Sequence, residues 1–149
     1  MNCTFCDFIA GKRKIHDNYP FIPINDAKNT ISFLSTDFPA KQDGHILIIS
    51  KKHFKNLDDV PKGILHELID HVLFASKVIR KRHEGCNILL NNGKNAGQAI
   101  KHVHFHVIPR DADDGIKIES WKRRKVSIPE FKKVSLKFKK DFNKFTSIK

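Results

Sequence analysis

Residues 101–108 read Lys-His-Val-His-Phe-His-Val-Ile, and this stretch decides the fold. Polar and apolar residues alternate with the period of a β-strand, so His102, His104 and His106 point one way and Val103, Phe105 and Val107 the other. Pro109 is expected to stop the strand. The apolar set needs a layer to pack on. The imidazoles then line the opposite surface over roughly 13 Å, at about 6.6 Å per two residues. One strand histidine is ordinary. Three on one face beside a glycine-containing loop point to either a metal site or a histidine nucleophile acting on an anion.

Working outward, Asn87–Asn91 (NILLN) predicts a short strand, with Asn92-Gly93 as a turn dipeptide. From Pro61 to about Arg82 the periodicity becomes helical, with Ile64, Leu65, Leu68, Val72, Ala75, Val78 and Ile79 at three- and four-residue steps. Pro61 fits the first turn of that helix, and Asp58 or Asp59 is the expected cap. Residues 31–36 (ISFLST) and 45–50 (HILIIS) are β-branched runs that predict consecutive antiparallel strands. The class is α+β, a mostly antiparallel sheet with one long helix packed on it.

A chain of 149 residues with 40% hydrophobic side chains suits one packed domain. It holds no internal repeat, low-complexity tract or Gly/Ser linker. No apolar run is long enough to span a bilayer, and MNCTFCDFIAGKRK lacks the regions of a secretory signal. Cys3, Cys6 and Cys86 are an odd set that fits a reducing compartment, so a cytoplasmic protein is expected. Cys86, ahead of an apolar strand, reads as a small core residue, and His16, His66, His71 and His83 receive no role.

The net charge of +12 is uneven. Residues 116–149 carry 12 Lys/Arg against 3 Asp/Glu, whereas residues 1–115 carry 16 against 13. This basic C-terminal extension is expected to pack on the same domain, with a helix within 129–145. Its charge suits either an anionic ligand or a solvated helix face, and the solvated face is the plainer account. Trp121 could fold over a site, or serve as an interface or core aromatic.

KHVHFHVIPR at 101–110 resembles the motif of the histidine triad (HIT) family. GHILIISKKH at 44–53, LLNNGKNAGQ at 89–98 and CTFCDFIAGK at 3–12 resemble its other segments, in the same order, so the likeness covers residues 1–115. It implies an enzyme acting at the α-phosphorus of nucleoside phosphoramidates or dinucleoside polyphosphates. His104 would be the nucleophile and form a covalent nucleotidyl intermediate. A carbonyl of His102 or of the Gly97 loop would orient it, with His45 close by. His106 and backbone N–H groups would bind the non-bridging oxygens, and no metal is needed for that step.

The same resemblance assigns substrate contacts. Gly97-Gln98 would let phosphate approach the backbone, Asn91 would contact the sugar–phosphate, and Phe5 and Phe8 would wall the base pocket. The ribose-binding acid falls on Asp37, eight residues before His45, or on Ser35 by an alternative alignment. Ala99 departs from the pattern, since relatives commonly carry Ser or Thr there to help protonate the leaving group.

Cys3-x-x-Cys6 has the spacing of half a zinc site, and the resemblance completes it with His53 and His102 as a closed, structural centre. It also implies a homodimer through the long helix, where Leu73 and Phe74 lie beside the core set. Two other readings compete: a relative that removes nucleotides from nucleic-acid ends, and a non-catalytic nucleotide-binding module.

Overall fold

The computed structural model describes residues 3–13, 19–118, 120 and 122–143; His16 and Trp121 lie outside them. The chain divides into two compact units, Met1–Ile116 and Lys117–Lys149.

The first unit is built on α1 (Thr4–Ile9), β1 (Pro23–Asp26), β2 (Thr30–Leu34), β3 (Ile46–Ser50), α2 (Lys62–Ile79), β4 (Gly85–Leu90) and β5 (His104–Arg110). All strand pairs are antiparallel, in the order β1-β2-β3-β5-β4, so the histidine strand is threaded between β3 and β4. The α+β class and the β2–β3 hairpin are those expected from the sequence.

Alternation sorts the strands onto two cores. Ile46, Ile48, Val103, Phe105 and Val107 pack with Leu68, Val72, Ala75 and Ile79 of α2. Leu47 and Ile49 turn to the other face, where α1 delivers Cys3, Phe5 and Phe8 against Ile31 and Phe33. Because β3 is covered on both sides, Ile46, Leu47, Ile48 and Ile49 form an unbroken apolar run, and all five strand residues, Ser50 included, are buried.

Three local expectations are corrected. The strand begins at His104 rather than Lys101, because the N–H groups of His102 and Val103 are drawn off to the carbonyls of Ile100 and Phe54. Pro109 does not stop it: β3 pairing ends at Val107, so Pro109 pairs with Cys86 alone and costs no central ladder bond. Neither Asp58 nor Asp59 caps α2, whose N-cap is Pro61 with no side-chain bond. Both belong to a preceding 3-10 turn, Leu57–Asp59, where Asp59 accepts from the Asn56 N–H at 3.1 Å and Asp58 accepts from Asn92 Nδ2 at 3.2 Å.

The second unit contains α3 (Ile128–Phe142), whose N-cap Ser127 accepts from the Glu130 N–H. The helix expected in the tail is present. Phe131, Val134, Phe138 and Phe142 form one stripe at helical spacing, opposite a lysine-rich face.

Candidate functional site

Strand β5 and the residues just before it present three imidazoles to one face of the sheet. His104 lies opposite Ile49 and His106 opposite Leu47, and Phe5 of α1 packs edge-on against the rings of His102 and His104. Fixed acceptors set each tautomer, since a backbone carbonyl can only accept. His104 Nδ1–H donates to the carbonyl of His102 at 2.6 Å, so Nε2 keeps its lone pair. Of the two orienters expected for that ring, the structure uses His102. His45 Nδ1–H donates to the carbonyl of Asp37 at 2.9 Å. Its Nε2 therefore accepts from His106 Nδ1, also at 2.9 Å. The remaining His106 nitrogen, Nε2, is buried and has no partner among the described residues. Burial holds His104 below the ordinary histidine range. Burial, then His104 and His45 as neighbouring potential cations, push His106 down to about 4.

The loop after β4 closes beside these rings. Leu89 pairs with His106, so two residues on Asn91 reaches the imidazole face at the level of His104. Asn91 Nδ2 lies 3.4 Å from the carbonyl of Gly97, which holds φ +87° in the left-handed region. Gln98 is buried and stitches the loop. Its Oε1 accepts from the Gly93 N–H at 2.9 Å, and its Nε2 donates to the Lys55 carbonyl at 2.7 Å.

Asp37 and Ser35 both flank His45. Ser35 N–H donates to the His45 carbonyl at 2.8 Å, and Asp37 offers His45 its backbone carbonyl while its own N–H donates to Ser35 Oγ. Phe5 and Phe8 are buried in the core, Phe5 beneath the histidine rings. An apolar cavity of about 390 Å³ opens instead between β1 and the end of β2, lined by residues that include Ile22, Ile24, Leu34, Ser35 and Phe38. Sequence reasoning missed its β1 wall, because Pro20 and Pro23 hide an edge strand. The alternation of Ile22 and Ile24 was the available signal.

Beside the triad, Cys3, Cys6, His53 and His102 bring four ligand atoms within 4.8 Å of one another. Cys3 Sγ and Cys6 Sγ lie 3.5 and 3.7 Å from His102 Nδ1, and Cys6 Sγ lies 3.4 Å from His53 Nδ1. Bond lengths of about 2.3 Å to sulfur and 2.05 Å to nitrogen at a tetrahedral angle give edges of about 3.6 Å. The residues fit a metal ion. His102 Nε2–H donates to the Ser50 carbonyl at 2.8 Å, which turns Nδ1 toward the sulfurs, the outer bond that ligand histidines commonly make.

Comparison with known proteins gives a consistent result. The HIT domain model matches residues 26–113. An adenosine 5'-monophosphoramidase of Candida albicans is 31% identical over 96% of this chain and 93% of its own. An adenylylsulfatase of Arabidopsis thaliana is 33% identical over 76% of this chain and 54% of its own length. The crystal structure of a histidine triad nucleotide-binding protein from Candida albicans superposes with a TM-score of 0.80 at 29% identity, covering 97% of this chain and 99% of that one.

Proposed function

The chain belongs to the HIT domain family, and on that basis we propose that it cleaves nucleoside 5'-phosphate derivatives at the α-phosphorus through a nucleotidyl-His104 intermediate. One observation carries the reading: His104 presents an unprotonated Nε2, and its ring packs 4.9 Å from that of His106, whose buried Nε2 has no partner among the described residues. An imidazole whose other nitrogen is tied to a carbonyl is the reactive tautomer, held without a proton-transfer step before attack. In the first displacement the Nε2–phosphorus bond forms as the bond to the leaving group breaks. Water then attacks phosphorus, and the nucleotide leaves His104.

When an anion enters, His106 Nε2 takes a proton from solvent or from the entering phosphate while its Nδ1–H still donates to His45, and it offers that Nε2–H to a non-bridging oxygen. The Gly97–Ala99 backbone and Asn91 hold the same phosphate, and Ser35 or Asp37 the ribose. The apolar cavity at Ile22, Ile24 and Leu34 takes the base. Zinc suits the site of two cysteines and two histidines, and would cross-link α1 to the residues that enter β5. The chain's residues there act by positioning: the His102 ring faces the cysteines while its carbonyl aligns His104.

Homodimer formation belongs to the same reading. Strand β4 leaves one sheet edge open, and α2 exposes Ile69, Leu73, Phe74 and Val78.

The test is chemical. A substrate labelled at the α-phosphorus, quenched during turnover, should leave acid-labile, base-stable label on the wild type and none on His104→Asn. Turnover by the asparagine variant at the wild-type rate would exclude the covalent route.

A further inference from the structure

A second cavity, of about 400 Å³, opens on the metal-site side of the Gly97–Ala99 loop, lined by Cys3, Thr4, His53, Lys55, Ala99, Ile100 and Lys101. Its volume falls within the roughly 300–1,000 Å³ typical of small-molecule sites. Among the described residues the lining contains two lysines and no acidic residue. Among the described residues neither ammonium forms an ion pair. The Lys55 backbone is bonded to Gln98, and Lys101 directly precedes His102.

The Gly97–Ala99 loop borders both this cavity and the proposed reaction site. Gly97 abuts Asn91 at the level of His104, and Ala99, two residues on, forms the cavity wall. Ala99 has no hydroxyl to protonate a departing atom. An amine leaving group must gain a proton as its bond to phosphorus breaks, whereas an oxyanion departs with the electron pair and needs none at neutral pH. The two lysines favour the second case, because positive charge placed where negative charge develops stabilises departure.

We propose that Lys55 and Lys101 form the leaving-group subsite, and that the leaving group is an oxyanion, either a phosphate chain or sulfate. The assignment rests on the hydrolase reading above. In the step it describes, the His104 Nε2–phosphorus bond forms, the bond from phosphorus to the bridging oxygen breaks, and the electron pair stays on that oxygen beside the two ammonium groups.

The experiment compares wild type with Lys55→Gln/Lys101→Gln and with Ala99→Ser, after confirming equal melting temperatures for the lysine variant and wild type. Turnover is measured on diadenosine tetraphosphate, adenosine 5'-phosphosulfate and an adenosine phosphoramidate of a neutral amine. The kcat/KM ratio of tetraphosphate to phosphoramidate should fall at least tenfold in the lysine variant, and the fall should shrink in high salt. Ala99→Ser should narrow the same ratio by raising phosphoramidate turnover. A fall confined to the tetraphosphate identifies a phosphate chain, and a fall shared by the phosphosulfate identifies oxyanions generally. An unchanged ratio for both anionic substrates overturns the proposal. Binding separates this outcome from failure of the hydrolase reading. In a His104→Asn background, the affinity ratio of adenosine 5'-tetraphosphate to AMP should also fall at least tenfold when the lysines are replaced. Loss of that ratio effect sinks the subsite, whereas a wild type without turnover or label sinks the enzyme.

Discussion

The carbonyl of His102 accepts from His104 Nδ1 at 2.6 Å, while the ring of the same His102 faces Cys3 and Cys6 at 3.5 and 3.7 Å. One residue therefore joins the metal-binding group to the candidate nucleophile, the first through its side chain and the second through its backbone. The ring also donates to Ser50 on β3, so its orientation is fixed from two sides.

Replacing His104 by asparagine should abolish turnover, by about 10⁴-fold or more, as loss of a nucleophile commonly does. The fold should survive, because asparagine keeps a side-chain donor within reach of the His102 carbonyl. Steady-state kinetics paired with a nucleoside monophosphate titration reads both. Parallel loss of binding would point to misfolding rather than lost chemistry.

Cys3→Ser combined with Cys6→Ser should remove bound metal and lower the melting temperature, since metal held only by the folded state adds to stability. It should also reduce kcat by about 10-fold to 100-fold, the usual effect of disturbing groups around a ligand histidine. Elemental analysis should find one zinc per wild-type chain. A wild type purified without chelator and free of metal would remove the basis for this expectation.

Gly97→Ala tests the loop. At φ +87° a side chain costs about 1–2 kcal/mol of backbone strain, and its Cβ would sit 3.6 Å from Asn91 Nδ2. The loop should relax away from Asn91, raising KM for nucleotide substrates more than it lowers melting temperature. Unchanged kinetics would mean that phosphate does not approach this segment.

Much of this arrangement was legible in the sequence wherever period and chemistry agreed. The alternation from His102 to Val107 correctly divided imidazoles from core, and the family resemblance completed the Cys3-x-x-Cys6 pair with His53 and His102, a group that the fold does assemble. What escaped notice depended on long-range pairing. Strand β1 holds a proline because it is an edge strand, and Pro109 stays in β5 because β3 has already ended there. Neither fact is local. Phe5 and Phe8 look alike as pocket wall or core, and only packing against Phe33 and the histidines puts them in the core. Lys55 and Lys101 are distant in sequence, and only the fold brings them to one cavity.

Stability should decline as pH falls from about 7.5 to 5. His71 is buried between Thr30 and Ser32, bonded to their hydroxyls at 2.9 and 3.0 Å, and burial depresses its affinity for a proton despite the nearby Glu67 carboxylate. Its folded pKa lies below the unfolded value of about 6.5. The unfolded chain thus binds more protons, so the stabilisation is present above that value and is lost as pH drops through it. His106, at about 4, acts with the same sign. Urea denaturation of the cysteine double variant, which lacks metal release as a confounding process, should show the midpoint moving down with acid. A flat midpoint across that window would mean that these imidazoles titrate alike in both states.

The open edge of β4 and the outer surface of α2 supply the last expectation. Leu73 and Phe74 are more than half exposed, as is unusual for large apolar residues side by side on a helix whose inner face is already packed. Ile88 on β4 is similarly exposed, on a strand that among the described residues pairs along one side only. A second copy related by a two-fold axis would cover both features at once, because such an interface presents the same patch from each chain. Leu73→Glu with Phe74→Glu should then convert a dimer to a monomer at micromolar concentration, read by light scattering. The substituted residues point away from the core cluster around Leu68 and Val72, so circular dichroism should be unchanged. If sheet extension contributes, the monomeric variant should exchange the amide hydrogens of β4 faster than those of β3. A wild type that scatters as a monomer would refute the interface, and a dimer that survives both glutamates would shift it to another surface.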